Sequence, residues 1–359
     1  MATGFPVKAN YATGDVLTAA NMNDLSGTLN YLQYMPPRNS VLNSNFSCWQ
    51  RGTSMSANYV YTADRWMAGR NGGVAGLTVS RQATSDTTNL PFIQYCARVQ
   101  RDSGNTNTAT LTIGQPFETV NSIRFAGQSV TLSFYARAGA NYSATSSALN
   151  VKLDTGTGTD QNGLTGAYTG GASPINGTAT LTTTWQRFTF NATLAATTTE
   201  LMIYFNATPV GTAGANDYFE ITGVQLELGS VANTYMPNQP TYQGELAACQ
   251  RYYWRNSGAQ LYSSYGAGYG ATTTVSQYII NNPVTMRVAP TSVDYSNLGA
   301  SVYGSGPVAI TSLSLSANET NQNAITVWGT SASGITVAKP YFIANANTTS
   351  GYIGASAEL

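Results

Sequence analysis

The chain has 359 residues, only 9% of them charged, and its 16 Lys and Arg balance its 16 Asp and Glu. Such neutrality excludes the long-range attraction to nucleic acid or to an anionic membrane surface that a basic protein has. The chain contains no histidine, which removes the Ser-His-Asp and Cys-His nucleophile systems and the commonest metal ligand.

Low charge with abundant Thr, Ser, Asn, Gly and Tyr predicts a mainly β protein with polar, uncharged surfaces, and the length allows two or three domains. The opening MATGFPVKANYATGDV has no apolar core of signal-peptide length behind a basic end. No run approaches the roughly 20 apolar residues of a membrane span. Cys48, Cys96 and Cys249 are odd in number and widely spaced, which argues for buried free thiols over a disulfide framework or a zinc site.

In chain order, the first predicted element is a helix over TAANMNDLSGTLNYLQY, capped by Thr18, with Leu17 and Met22 placed as a hydrophobic staple. Met22, Leu25, Leu29 and Leu32 follow intervals of three, four and three. That narrow a/d seam is too short to be stable alone and suits packing against copies of itself. MPPRNS then breaks the helix, because Pro36 and Pro37 cannot continue its hydrogen bonds.

From about residue 41 to 228 the period becomes two. Leu77 and Val79, Leu111 and Ile113, Val130, Leu132 and Phe134, Leu149, Val151 and Leu153, Phe188 and Phe190, and Leu201, Ile203 and Phe205 each alternate with polar residues. About eight such strands without intervening helices predict two packed antiparallel sheets, a jelly-roll sandwich. At its end Phe219 and Ile221 share one parity and Val224, Leu226 and Leu228 the other. A bulge at Gly223 would keep both sets facing the core.

SVANTYMPNQPTYQ, with two prolines and few apolar positions, predicts an extended surface connector, and GELAACQRYYW packs again after it. Arg251 beside Tyr252 and Tyr253 is placed either to stack on a neighbouring chain or to form an ordinary intrachain ion pair. Four further strands are expected in TTTVSQYII, AITSLSLSA, AITVWGTSA and KPYFIANA.

Ten of the 23 tyrosines, with Trp254 and Trp328, fall after residue 245. Aromatic rings stack on sugar faces while their polar atoms meet hydroxyls, so an uncharged glycan is the expected ligand class. The candidate ligand-facing residues are Trp328 and, in the glycine-rich AQLYSSYGAGYGAT read as a loop, Tyr262, Tyr265 and Tyr269. These rings suit subunit interfaces equally well. Glu200, Glu220 and Glu227 lie on or near predicted strands, and Glu220 and Glu227 alternate with core residues as solvent-facing positions do; nothing pairs the acids in a catalytic cleft motif, so no enzyme is expected.

NSNFSCWQRGTS, YTADRW, LSFYARAGA, TTTWQRFTF, GVQLELGSVANTY and GELAACQRYY, in that order, resemble the phage tail-fibre and related virion proteins whose jelly-roll module is similar to carbohydrate-binding modules. YATGDVLTAANMNDL is similar to virion-attachment ends of phage structural proteins, and YFIANANTTSGYIGASAEL to the terminal strand of the fibres. The resemblance implies a homotrimeric fibre subunit located in the virion and joined to other virion proteins by its N-terminus. Its expected domains are an attachment segment with a helix (1–40), the jelly roll (41–232), a linker (233–245) and a β-sandwich-like tip (246–359) that contacts host-surface polysaccharide. Arg251, Tyr252 and Tyr253 then join the N-terminal seam as oligomerisation residues. Two alternatives stand beside it: a decorating head or tail protein without a receptor, and a bacterial surface carbohydrate-binding protein. No cofactor is expected. Carbohydrate-binding jelly rolls often hold a structural calcium ion, for which Asp64 and Asp217 are the acids nearest the shared motifs, although no dense loop of oxygen ligands is present.

Overall fold

The computed structural model describes residues 39–359, apart from 57, 74 and 303. The expected helix and its seam of Met22, Leu25, Leu29 and Leu32 lie outside the described residues. Asn39–Leu359 forms one compact unit.

Its first half contains β1 (Ser54–Ser56), β2 (Val60–Tyr61), β3 (Met67–Arg70), β4 (Leu77–Ala83), β5 (Tyr95–Arg101), β6 (Leu111–Pro116), the single turn α1 (Thr119–Ser122), β7 (Ser129–Ala138), β8 (Ala148–Gly156), β9 (Ala172–Thr180), β10 (Gln186–Thr193), β11 (Glu200–Ala207) and β12 (Tyr218–Leu228). They build two six-stranded sheets, β1-β4-β5-β12-β7-β10 and β2-β3-β6-β11-β8-β9. Within these, β5 to β12 are ordered 5-12-7-10 in one sheet and 6-11-8-9 in the other, and all the pairs are antiparallel. That connectivity is a jelly roll. The period-two residues meet in the gap: Phe134 of β7 meets Phe205 of β11 in the opposite sheet edge-on at 4.7 Å and stacks with its cross-strand neighbour Phe188 of β10 at 5.6 Å.

The bulge in β12 is present. The register against β7 shifts between Thr222 and Gln225, Gly223 has φ +56°, and Phe219, Ile221, Val224 and Leu226 are all fully buried. Leu228 differs from expectation: it ends the strand beyond the rim of the core and is exposed.

The segment expected as a plain connector is held against the jelly roll. Asn233 donates to Glu227, the Met236 N–H to Gln225, and Asn238 to the Asn39 carbonyl. A helix that the periodicity did not reveal, α2 (Tyr242–Gln250), begins inside it, capped by Thr241 accepting from the Gly244 N–H at 3.1 Å. Only Glu245 and Cys249 of that helix are buried, too few to write an apolar stripe. Glu245 accepts from the Asn43 N–H, so α2 packs on the jelly roll and the second β body begins after it.

That body comprises β13 (Tyr253–Ser257), β14 (Ser264–Gly270), β15 (Val275–Asn281), β16 (Ser292–Ser296), β17 (Leu298–Val302), β18 (Ser305–Ala309), β19 (Ser312–Leu315), β20 (Ala324–Thr330), β21 (Pro340–Asn345) and β22 (Tyr352–Ser356). A three-stranded sheet, β13-β22-β16, covers one face of a seven-stranded sheet, β18-β17-β21-β14-β15-β20-β19, with Trp254, Tyr278, Ile325, Val327, Ile343 and Ile353 between them.

Three of the shared motifs meet where the two bodies join. The Arg65 guanidinium, 1% exposed, lies 3.6 Å from the Tyr252 ring centroid and pairs with Glu358. Arg51 lies 3.4 Å from the Tyr253 ring and 3.4 Å from Glu358. The Gln50 side-chain amide donates both to Asp64 at 2.9 Å and to the Tyr253 carbonyl at 2.7 Å. Two further ion pairs flank the joint, Arg251–Glu118 at 3.0 Å and Arg287–Asp160 at 2.9 Å. Arg251, Tyr252 and Tyr253 therefore find their partners within the chain. Cys48, Cys96 and Cys249 are free and buried.

Two outcomes test this packing. A Cβ on Gly223 would lie 2.8 Å from Ile93 Cδ1 and 2.9 Å from Tyr135 Cδ2, at a φ that L-residues avoid. Gly223→Ala should therefore lower stability by about 1–3 kcal/mol, read as an earlier urea midpoint, and an unmoved midpoint would contradict the bulge. Burial pushes the Asp64 carboxyl up to about 6, partly opposed by the Arg51 charge and the Gln50 hydrogen bonds. The folded protein thus holds this proton more tightly than the unfolded chain, so Asp64's contribution to stability is full below about pH 4 and is lost as pH rises through about 6. Carboxyl-carbon NMR should show Asp64 titrating near 6, and a midpoint at the unfolded value would refute its burial.

Candidate functional site

The seven-stranded sheet has one face in the core and the other in solvent. β14 is its central strand, not the ring-presenting loop expected from its glycines. The reason is steric. Gly266, Gly268 and Gly270 lie on the inner face opposite Ile280, Tyr278 and Ser276, and a Cβ on Gly266 would stand 2.7 Å from the Ile279 carbonyl oxygen. Glycine there permits close strand packing.

Alternation along β14 then sends Ala267 and Tyr269 outward. The registers of β21, β15, β20 and β19 place Pro340, Tyr269, Gln277, Trp328 and Ser314 in one cross-strand row. A second row, two residues along, contains Ser301, Phe342, Ala267, Ile279 and Thr326. Phe342 is 50% exposed, Ile279 60% and Tyr269 46%. Tyr269 and Trp328 stand two strands apart, about 10 Å. Gln277 sits between them and donates to Glu319 at 2.6 Å.

At the β17–β18 side the face runs into an open groove of about 540 Å³, with Tyr262 and Phe342 as its rings and Ser264, Ser301, Ser305 and Gly306 among its polar walls. Among the described residues no charged side chain lines it. The Tyr262 hydroxyl donates to Asn347 at 2.8 Å, which holds its half-exposed ring at the rim.

Of the four ligand-facing residues expected from sequence, Tyr269 and Trp328 share the outer face and Tyr262 borders it. Tyr265 does not join them. It is the extra residue where the β14–β21 register shifts between Ser264 and Gly266, and its ring packs against the core. Its hydroxyl is occupied by Asn345, by the Gly351 carbonyl at 2.8 Å and by the Gly258 N–H at 2.9 Å. Phe342 and Ile279 were missed. In KPYFIANA the core residues Tyr341 and Ile343 flank Phe342, so its outward parity was the available signal.

The acids considered for calcium are otherwise engaged. Asp217 accepts from Arg101 and from the Ser143 hydroxyl, each at 2.8 Å, and Asp64 from Gln50. Among the described residues no group of three or more His, Cys, Asp or Glu side chains gathers as a metal site. Glu220 and Glu227, expected to face solvent, are buried instead, because other side chains cover and satisfy them: Glu220 lies between Arg98 and Arg137, and Glu227 accepts from Asn233 and Gln225. Glu200, also buried, accepts from the Gln161 N–H.

No family model and no curated protein matches the chain. Solved structures that resemble part of it include the enzymatically active domain of bacteriophage CBA120 tailspike protein 4 (13% identity, TM-score 0.34, 53% of this chain and 21% of that one). A family 4 carbohydrate-binding module resembles it at 19% identity and TM-score 0.33, over 52% of this chain and 98% of the module. A family 61 module in complex with β-1,4-galactotriose does so at 13% identity and TM-score 0.33, over 54% and 99%. The chain spans about a fifth of the tailspike domain's length.

Tyr265→Phe separates structural from ligand-facing rings. Loss of a hydroxyl that serves three partners should lower stability by about 1–3 kcal/mol without changing the outer face, since the Tyr265 ring packs against the core. Thermal melting checks this, and a variant of unchanged stability would place the Tyr265 hydroxyl elsewhere.

Proposed function

We propose that this chain is a homotrimeric phage fibre subunit, attached to the particle through its N-terminal segment, whose distal sheet face binds uncharged host-surface saccharide during adsorption. The observation that carries the binding claim is the outward face of the seven-stranded sheet. Tyr269, Trp328 and Phe342 expose flat apolar area among Gln277 and the serines of the adjoining groove, and that groove has no charged wall. Rings supply stacking surface at little cost in conformational freedom, and the serine hydroxyls of the groove hydrogen-bond sugar hydroxyls without a charge to desolvate, while Glu319 holds the Gln277 amide between the rings.

Placement supports the same function. The face lies opposite the three-stranded sheet through which the tip meets the jelly roll, so it is turned away from the joint. The phage assignment and the trimer rest on the ordered motifs and the N-terminal seam. No reaction is assigned.

The test is retention of the full chain on an array of neutral oligosaccharides, beside Phe342→Ala and Trp328→Ala. Each replaces a ring at the surface and should weaken retention at least tenfold, about 1.4 kcal/mol, with the fold intact by circular dichroism. Equal retention by both variants, or none by the unaltered chain, would overturn the binding claim. Light scattering should give the mass of three chains, and a stable monomer would overturn the fibre assignment.

A further inference from the structure

A second cleft lies between the ends of β4 and β5 and the segment leading into α2, about 530 Å³ in volume. Phe92 lines it at 91% exposure, the largest of any large apolar side chain among the described residues, and Tyr242 lines it too, 54% exposed. A phenylalanine so exposed gains nothing from folding, so stability does not account for it. The loop beneath it is nevertheless well anchored: Leu90 and Ile93 are buried with Cys96 and Trp185, and the Thr84 hydroxyl donates to the Ile93 carbonyl at 2.7 Å.

Arg81 enters the same cleft. Its guanidinium lies 4.5 Å from the Tyr95 ring centroid and donates to the Ser47 carbonyl at 3.4 Å, and no carboxylate pairs with it among the described residues. Among the described residues Glu245 is the one acid in the lining. Its two carboxylate oxygens are taken by the backbone N–H groups of Asn43 and Gln239, the latter at 3.1 Å, so they are committed to holding the connector. Asn45 and Gln94 add side-chain amides to the walls.

We infer that this cleft is a second saccharide site, selective for a carboxylate-bearing sugar, with Arg81 meeting the carboxylate, Phe92 and Tyr242 stacking on the ring, and Asn45 and Gln94 meeting hydroxyls. The chemistry differs from that of the tip face, which has stacking rings and no cation in its groove. A guanidinium pre-oriented on an aromatic ring matches a planar carboxylate bidentately, and two exposed rings in the lining offer a sugar stacking area that an acidic peptide does not need. The inference does not rest on the tip face, and the two sites fail independently.

The test is calorimetric titration of the full chain with a panel of oligosaccharides containing hexuronic or sialic acid, each beside its neutral counterpart and beside an oligoglutamate peptide. At least one acidic saccharide should bind saturably and at least tenfold more tightly than its neutral counterpart. Phe92→Ala, which touches no core residue's burial, should weaken that binding tenfold or more without moving the melting temperature, and Arg81→Gln should abolish the preference for acid. Phe342→Ala should leave it unchanged. Absence of binding by every acidic saccharide, binding indifferent to both cleft variants, or tighter binding of oligoglutamate would overturn the inference.

Discussion

Two arginines stacked on two consecutive tyrosines, closed by one glutamate, hold the two β bodies together. Arg65 over Tyr252 and Arg51 over Tyr253 belong to the jelly roll on the cationic side and to the start of the second body on the aromatic side, while Glu358 returns from the far end of the chain to meet both cations. Each guanidinium is largely removed from water, so its charge depends on that carboxylate and on the ring faces. Breaking such a pair leaves an uncompensated buried charge, which costs about 3–5 kcal/mol. The joint therefore acts as a rigid coupling where a flexible linker would let the tip wander.

Rigidity at the joint gives the outer sheet face its meaning. Aromatic rings on a strand are aimed by the sheet itself, and the sheet is aimed by the small three-stranded layer that carries Tyr253 on one side and Trp254 on the other. The core of the second body, the joint and the jelly roll thus form one chain of packed contacts leading to the face that meets the outside.

The jelly roll was legible because each of its sheets buries one face, so period two survives in β7, β8 and β11, and a break in parity marks the bulge at Gly223. The joint was half legible: Arg251, Tyr252 and Tyr253 stood out as a cluster, but nothing in the sequence says that Glu118, Arg51 and Arg65 would reach them from over 100 residues away. α2 was hidden because its burial involves Glu245 and Cys249 rather than an apolar stripe. β14 was misread as a loop because glycine is chosen there for close approach, a tertiary requirement that looks identical to loop chemistry. Phe92 and Phe342 stayed silent for opposite reasons, one sitting in a turn with no period and the other lying inside a strand whose inward residues drew the attention.

Scanning calorimetry of the full chain tests the coupling most directly. A rigid joint predicts that the jelly roll and the second β body unfold in a single transition, and that Glu358→Ala lowers the melting temperature of both together. Two separate transitions in the unaltered chain, with the substitution leaving both in place, would contradict it.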